Sequence, residues 1–516
     1  MKKLIALLLS LCLMLGLTSA LAYDGEVITL RVSSDDTFTF DPETDPMAKF
    51  IEDKFGLRFE DTAYDGDSEK MRLDAMDGKL GNVSYTDFLY NIPAIGEFIN
   101  QGFFRSIPDE MLEKFPLTKA LLENDAVSQA VKKLYGAYYM LPKPDSADPT
   151  LYLAERKGIF IRKDWLQKVG KEMPTTWEEL YEVAKAFTNE DPDGNGVKDT
   201  YGLTGDGLGN LRFFFASTGH SNRYWVKQED GTWMHGALLK DNIEILKWLR
   251  KMYEEGLIDP EYGSTKWQES LQKFSSGQFG MVVRNADADW IWNVLVKYYG
   301  AANEGVNPFD VLTLIPSLKL NAESEPKMEG YVSCMCATQI SATTTDEQLE
   351  RFLTFFEYLL TDEGRMLRLG FKDVDYTIEA DGSVKKIRDE KGNPPELKVK
   401  YPSIAVTHYN SWGFEMAANP KVENYDTYND ETKKLNTWAR EYRNPGAVFP
   451  AIDPILIDDV AVTEANNFKI NAEYWEIITG TEPVETMFDA MVQKAMQDGF
   501  EDAAAVVNQM ATEKGW

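Results

Sequence analysis

GIFIRKDWLQKVGKEMPTTWEELYEVAKAFTNEDPDGNGVKDTYG, residues 158–202, runs through three kinds of pattern in succession. GIFIRKDWL (158–166) opens on a short apolar run that reads as a strand. In PTTWEELYEVAKAFTNE both Thr175 and Thr176 have a Glu three residues on, the signature of a capping box at a helix start. Trp177, Leu180, Tyr181, Ala184 and Phe187 then recur at helical spacing and mark a buried stripe. The helix delivers the chain into a loop with Asp191, Asp193, Asn195 and Asp199 at positions 1, 3, 5 and 9. That is the ligand ladder of an EF-hand calcium loop, with Gly196 at the sharp turn and Val197 offering a backbone carbonyl. The twelfth position is Gly202, where a calcium sensor would carry a bidentate Glu. The loop is therefore either an Asp/Gly turn or a metal site completed by an oxygen from elsewhere.

Outward from this stretch, the alternation of strand and helix continues over most of the chain and points to an α/β class. EVITLRVSS (26–34) reads as a strand, DPMAKFIEDKFG (45–56) as an amphipathic helix and GLRFEDTAY as a second strand. GALLKDNIEILKWLRKMYEEG reads as a long helix ending at Gly256, and LERFLTFFEYLLTDEG places Leu349, Phe352, Leu353, Phe356 and Leu360 on one face and closes at Gly364. VKQEDGTWMHG and YTIEADGSVKKI read as hairpins around Asp230-Gly231 and Asp381-Gly382. The most linker-like stretch is PKPDSADPT (142–150), and no internal repeat is visible.

Lys2 and Lys3, the apolar run Leu4–Leu17 and the Ala20-Leu21-Ala22 triplet make a secretory signal peptide, residues 1–22. The apolar run is short for a membrane span. Cleavage after Ala22 is expected, with export to the cell exterior or envelope. A lipid anchor is not expected, because Cys12 lies inside the apolar core behind Leu11. Cys334 and Cys336 are too close for an unstrained bridge, so a disulfide-stapled scaffold is excluded. They read as core residues on one strand face, with a metal pair the weaker reading for want of His or further Cys nearby. The formal charge of −30 becomes −32 once Lys2 and Lys3 leave, which argues against nucleic acid or anionic lipid as a partner.

The chemistry of catalysis finds little. There is no G-x-S-x-G, no phosphate-cradling glycine motif, and His220, His235 and His408 are scattered without metal-ligand spacing. A glycosidase needs only two carboxylates, and 84 acidic residues leave that class open.

The order of segments resembles the extracellular solute-binding proteins of ABC importers, in the large family that includes maltodextrin- and alginate-oligosaccharide-binding proteins. LYGAYYMLP (134–142) is similar to the strand entering the first hinge. Residues 158–187 resemble the family's signature stretch, and FSSGQFGMVVRNADADWIW (274–292) its second crossover. FEYLLTDEGRMLRLGF (356–371) and residues 473–509 resemble the later helix-and-return and the C-terminal region of the larger Gram-positive branch.

The resemblance implies a two-lobed, periplasmic-binding-protein-like α/β fold of type II with a ligand cleft between lobes. Lobe one is expected near 23–150 and 300–360, and lobe two near 151–299 and 361–516. It implies a monomer that is not an enzyme, captures a carbohydrate and passes it to membrane permease subunits. The competing readings are a secreted carbohydrate-active enzyme and a binder of a non-sugar solute such as a peptide.

It further implies that the loop at 191–200 is a structural calcium site held by Asp191, Asp193, Asn195, Val197 and Asp199. Thr200 stands where the family often has Glu. NADADWIWN (285–293) supplies aromatic and carboxylate groups at the family's second crossover; if extended, Trp290 and Trp292 share one face. Trp290 is the expected sugar platform, with Trp292, Asp87, Tyr64, Trp225, Trp267 and Trp412 as further ligand-binding candidates. Asp87, in DGKLGNVSYTDF (77–88), stands without the family's preceding Pro.

Overall fold

The computed structural model describes residues 23–34, 37–62, 68–86, 92–143, 157–220, 222–286, 288–327, 336–390, 396–408, 451–452, 457 and 459–515. The strands, in chain order, begin with β1 (Ile28–Ser34), β2 (Leu57–Asp61), β3 (Val83–Thr86), β4 (Met140–Lys143), β5 (Lys157–Arg162), β6 (Tyr201–Thr204) and β7 (Trp225–Lys227). They continue with β8 (Trp233–His235), β9 (Phe279–Asn285), β10 (Leu312–Leu314), β11 (Cys336–Ile340), β12 (Tyr376–Ile378), β13 (Val384–Lys386) and β14 (Ala451–Ile452). Contacts divide the chain into two units, Met1–Asp145 with Cys334–Gly413 and Ser146–Ser333 with Phe414–Trp516. The chain thus passes from one unit to the other three times.

The first unit holds a five-stranded sheet in the order β2-β1-β3-β11-β4. β1 runs parallel to β2 and β3, and β11 is antiparallel to β3 and β4. The crossover helix Pro46–Phe55 shows why this sequence folds so locally. Asp45 caps it by accepting from the Met47 and Ala48 N–H groups, Pro46 sits at the first turn, and Gly56 ends it at φ 61°. Its buried face carries Met47, Ile51 and Phe55 onto Leu30, Val32, Leu57 and Phe59. The helix Asp346–Leu359, boxed by Thr345 and Gln348, covers the same core with Leu349, Phe352 and Phe356. Gly364 does not end that helix. It lies within a separate helix, Asp362–Met366, that Thr361 caps.

The second unit has a four-stranded sheet, β10-β5-β9-β6, in which β5 is antiparallel to both β10 and β9 while β6 is parallel to β9. β5 is apolar at every central position because it is buried on both faces. Ile159 and Ile161 join the larger core with Trp165, Trp177 and Phe187. Phe160 and Val282 point the other way, into a smaller core with Leu271, Phe274 and Leu295. The helix Trp177–Asn189 carries the predicted capping box of Thr176 and Glu179 and buries the predicted stripe. A third sheet, β14-β7-β8, contains the hairpin at Asp230-Gly231, and the C-terminal helices Ile470–Thr479 and Val484–Ala495 extend the larger core.

The units change over at 334 and 414, later than the expected 300 and 361. β10 pairs with β5 and so keeps residues 312–314 in the second unit. Leu367, Tyr401, Ile404 and Val406 pack into the first unit's core, and the Tyr401 hydroxyl donates to Asp375 at 2.7 Å. A second difference concerns NADADWIWN. β9 stops at Asn285 and Ala288–Trp292 is helical, so Trp290 and Trp292 do not share a strand face. Two residues apart on a helix, they point to nearly opposite sides. Among the described residues no helix is long and apolar enough to cross a membrane.

At Gly280, the second residue of β9, a Cβ would overlap the Phe187 ring and stand 2.9 Å from the Trp165 indole. Gly280→Ala is expected to lower stability by about 1–3 kcal/mol through this overpacking. A urea titration checks it, with a lowered midpoint at unchanged slope; an unmoved midpoint means the helix sits on the sheet less tightly than described.

Candidate functional site

β6 and β9 are parallel neighbours, with Thr204 beside Val282. Two residues on, their ends bring Asp206 and Arg284 together as an ion pair, both side chains largely buried. Gly207, at φ 77°, turns the chain away immediately after Asp206. The guanidinium of Arg284 lies 3.9 Å from the centre of the Trp290 ring and 5.3 Å from that of Trp267. Trp267 opens the helix Trp267–Ser275 and meets Trp290 edge to face, centroids 5.4 Å apart at 88°. Tyr298 stands 6.1 Å from Trp267. At the same end of β9, Lys157 Nζ donates to Asn285 Oδ1 at 2.6 Å.

The electrostatics of this cluster follow from its burial. The negative faces of two indoles and one carboxylate hold a cation out of water. The second oxygen of Asp206 is buried with no hydrogen-bond partner among the described residues. Trp290 and Trp267 remain half-buried. The arrangement offers a ring face for an apolar C–H surface beside hydrogen-bonding groups fixed in position, which is recognition chemistry.

Two of the candidates read from the sequence, Trp290 and Trp267, are therefore brought together. Trp292 is 6 % exposed and packs into the smaller core with Phe160 and Leu271. Trp225 is 1 % exposed, enclosed by His235 and Phe500, so it is a core residue of the second unit. Tyr64, Asp87 and Trp412 lie outside the described residues, as does Cys334. Arg284 and Asp206 were not among the candidates. Arg284 directly precedes the NADADW stretch, and a cation beside an aromatic pair was the available signal; Asp206 becomes visible only through strand pairing.

The loop after the helix Trp177–Asn189 curls its oxygens inward. Asn195 Nδ2 donates to Asp193 at 2.8 Å and to the two oxygens of Asp199 at 3.3 and 3.4 Å. Asp191 accepts from the N–H groups of Gly194 at 3.2 Å and Gly196 at 3.0 Å. A side-chain hydrogen bond with Asp193, then those N–H groups, hold the Asp191 carboxyl below its ordinary range. Gly194 and Gly196 supply the positive φ that the curvature needs. Among the described residues no three His, Cys, Asp or Glu side chains are gathered closely enough to hold a metal ion. The donor set itself fits a hard cation, since three carboxylates and an amide lie within one nine-residue turn. Thr200 is not part of it: its hydroxyl is buried and donates to the Phe187 carbonyl at 2.8 Å.

Two α/β units built on mixed sheets and linked by three crossings define the two-lobed periplasmic-binding-protein-like fold. The chain superposes on the ABC-transporter substrate-binding protein FusA of Streptococcus pneumoniae, solved with kestose, at a TM-score of 0.66 and 20% identity, covering 95% of this chain and 99% of that one. Alginate-binding protein AlgQ2, solved without calcium ion, matches at a TM-score of 0.65 and 17% identity over 95% and 99%. The family model described as bacterial extracellular solute-binding protein matches residues 47–370, and the chain belongs to that family. It is 30% identical over 322 residues to lipoprotein LipO of Bacillus subtilis (strain 168), covering 59% of this chain and 58% of LipO. It is 27% identical over 251 residues to the fructooligosaccharide ABC transporter substrate-binding protein FusA, covering 47% and 46%. The chain spans about half the length of the curated relatives it matches.

Asp206→Asn removes the charge facing Arg284 and leaves that cation buried. A loss of about 3–5 kcal/mol is expected in chemical denaturation. A double-mutant cycle with Arg284→Met should recover much of it, and additive losses would mean that the two groups do not act as a pair.

Proposed function

We propose that this protein is the extracellular substrate-binding component of an ABC transporter, capturing an oligosaccharide and delivering it to membrane permease subunits. The observation that carries the reading is the Trp267–Trp290 pair around Arg284. The C–H face of a pyranose or furanose ring stacks on an indole, while its hydroxyls take up neighbouring hydrogen-bonding groups. Family membership supports the transport role, and the sugars named for FusA and for the polygalacturonan/rhamnogalacturonan-binding protein YtcQ of Bacillus subtilis support the ligand class. In this reading Trp290 is the platform and Trp267 braces it from the side. The protein acts as an exported monomer, closes its lobes over the sugar by hinge motion, and performs no reaction on it.

Calorimetry against a panel of oligosaccharides tests this. Trp290→Ala is expected to weaken binding at least tenfold, about 1.4 kcal/mol, whereas Trp292→Ala is expected to cost stability first. Cleaved sugar after long incubation would reject the non-enzymatic role, and tight binding of a peptide in place of any sugar would reject the ligand class.

We further infer that Asp191, Asp193, Asn195 and Asp199, with the Val197 carbonyl, hold a structural calcium ion. The ladder spacing and the inward turn of the oxygens support this, as do two structural neighbours, an EF-hand mutant of FusA and AlgQ2 solved without calcium ion. At calcium about tenfold above the dissociation constant the site contributes roughly 1.4 kcal/mol. EDTA should lower the melting temperature of the wild type and leave Asp191→Ala unmoved; a wild-type curve insensitive to EDTA would show that the loop is a turn only.

A further inference from the structure

The second unit contains another cavity, of about 390 Å³, that shares no residue with the Trp267–Trp290 cluster. It lies among Leu208, Arg212, Asn222 and Arg223, the β8 residue His235, Phe500 and the start of the helix Ile470–Thr479. Its described lining includes Arg212, Arg223 and Lys469 and contains no Asp or Glu. That is a marked local departure in a chain of formal charge −30.

Three further observations give the cavity a direction. Lys469, Ile470, Asn471 and Ala472, the N-cap and first turn of a ten-residue helix, all line it. Among the described residues no side chain caps that turn; the Ile470 and Ala472 N–H groups already donate to the Phe468 and Lys469 carbonyls at 3.0 and 2.9 Å, which leaves the Asn471 N–H at the positive end of the helix. Asn222 also lines the cavity at 5 % exposure, and among the described residues neither its amide nitrogen nor its oxygen has a partner. Leaving such a buried group unanswered is unfavourable, and a bound group would answer it. The wall at His235 is neutral: burial holds its pKa down at about 4, and its Nδ1 accepts from the Ala237 N–H at 3.3 Å. Cations, one backbone N–H at a helix start and an unanswered amide thus meet over a space that falls within the range of small-molecule sites.

We propose that this cavity binds an oxyanion, a phosphate or carboxylate group. Arg212, Arg223 and Lys469 supply charge. The Asn471 N–H and the Asn222 nitrogen donate hydrogen bonds, and the Asn222 oxygen receives a hydroxyl from the same ligand. Two sources share this chemistry, a free inorganic anion and the acidic group of a larger solute such as a sugar acid. The proposal does not depend on the aromatic site.

Titration calorimetry on the whole chain at low salt, with inorganic phosphate, galacturonate and neutral galactose as probes, tests it. At least one of the two anions should bind, more weakly as sodium chloride is added, and galactose should give no heat that Lys469→Gln alters. Phosphate binding at least as tight as galacturonate identifies a free-anion site, and tighter galacturonate an acidic solute. Arg212→Gln and Lys469→Gln should each weaken the anion at least fivefold. Lys469 is exposed, so its variant keeps the fold, as a melting curve verifies. Trp290→Ala should leave phosphate binding unchanged, which separates failure here from failure of the sugar reading. Absence of binding by either anion, or binding that both charge variants leave unchanged, would overturn the proposal.

Discussion

The second unit is organised by one close approach, that of Phe187 and Trp165 to the bare backbone of Gly280. Because β9 has no side chain there, the helix Trp177–Asn189 lies directly on the sheet, and its last turn is held at a fixed height over β9. β6 follows that helix and pairs with β9 on the other side from β5. The strand ends that carry Asp206 and Arg284 are therefore placed by packing of rings on a glycine far from the charges themselves. A buried polar cluster needs such support, since a guanidinium held against indole rings loses most of its value if it can swing into water.

Much of this architecture was legible in the sequence, and the reasons are local. The helix Trp177–Asn189 declares itself through a Thr-x-x-Glu box and an unbroken apolar stripe, and both are realised. The hairpins follow from Asp-Gly pairs, which satisfy a positive φ at Gly231 and Gly382. β5 was legible as a strand from its apolar run. What the run could not reveal is that Ile159 and Phe160 feed two different cores, because that depends on what lies on each face. NADADWIWN, which would put Trp290 and Trp292 on one face if extended, turns helical for a related reason. Its alternation of small, acidic and aromatic residues fits period two, but the pairing of β9 with β5 among the described residues ends at Asn285, opposite Lys157, and Ala288–Trp292 is a helix. The same helix buries Trp292 and turns Trp290 toward Arg284.

The site was less legible than the fold because its members come from separate strands. Trp290 and Trp267 are bulky enough to attract notice singly. Arg284 and Asp206 become a pair only through the register of β6 against β9, which no spacing in the sequence encodes. Trp225 shows the opposite error. A tryptophan beginning a short strand looks available, yet the hairpin folds it under Phe500 and against His235, where its large area does more for the core than for any ligand.

The Asp-rich loop ties these features together mechanically. It is the only covalent link between the end of the helix Trp177–Asn189 and the start of β6, and Thr200 at its far end is anchored back to the Phe187 carbonyl. The carboxylates of Asp193 and Asp199 converge on a single amide nitrogen, and like charges at that spacing oppose the turn. A divalent ion there would reverse the sign of the interaction and tighten the join between helix and strand. The effect would reach the recognition cluster through two short steps: β6 is four residues long, and Asp206 stands two residues beyond it. If the loop holds an ion as proposed above, its stability would pass to the Asp206–Arg284 pair through that one short strand. An ion there would act on the segment that positions the carboxylate rather than on the periphery of the fold.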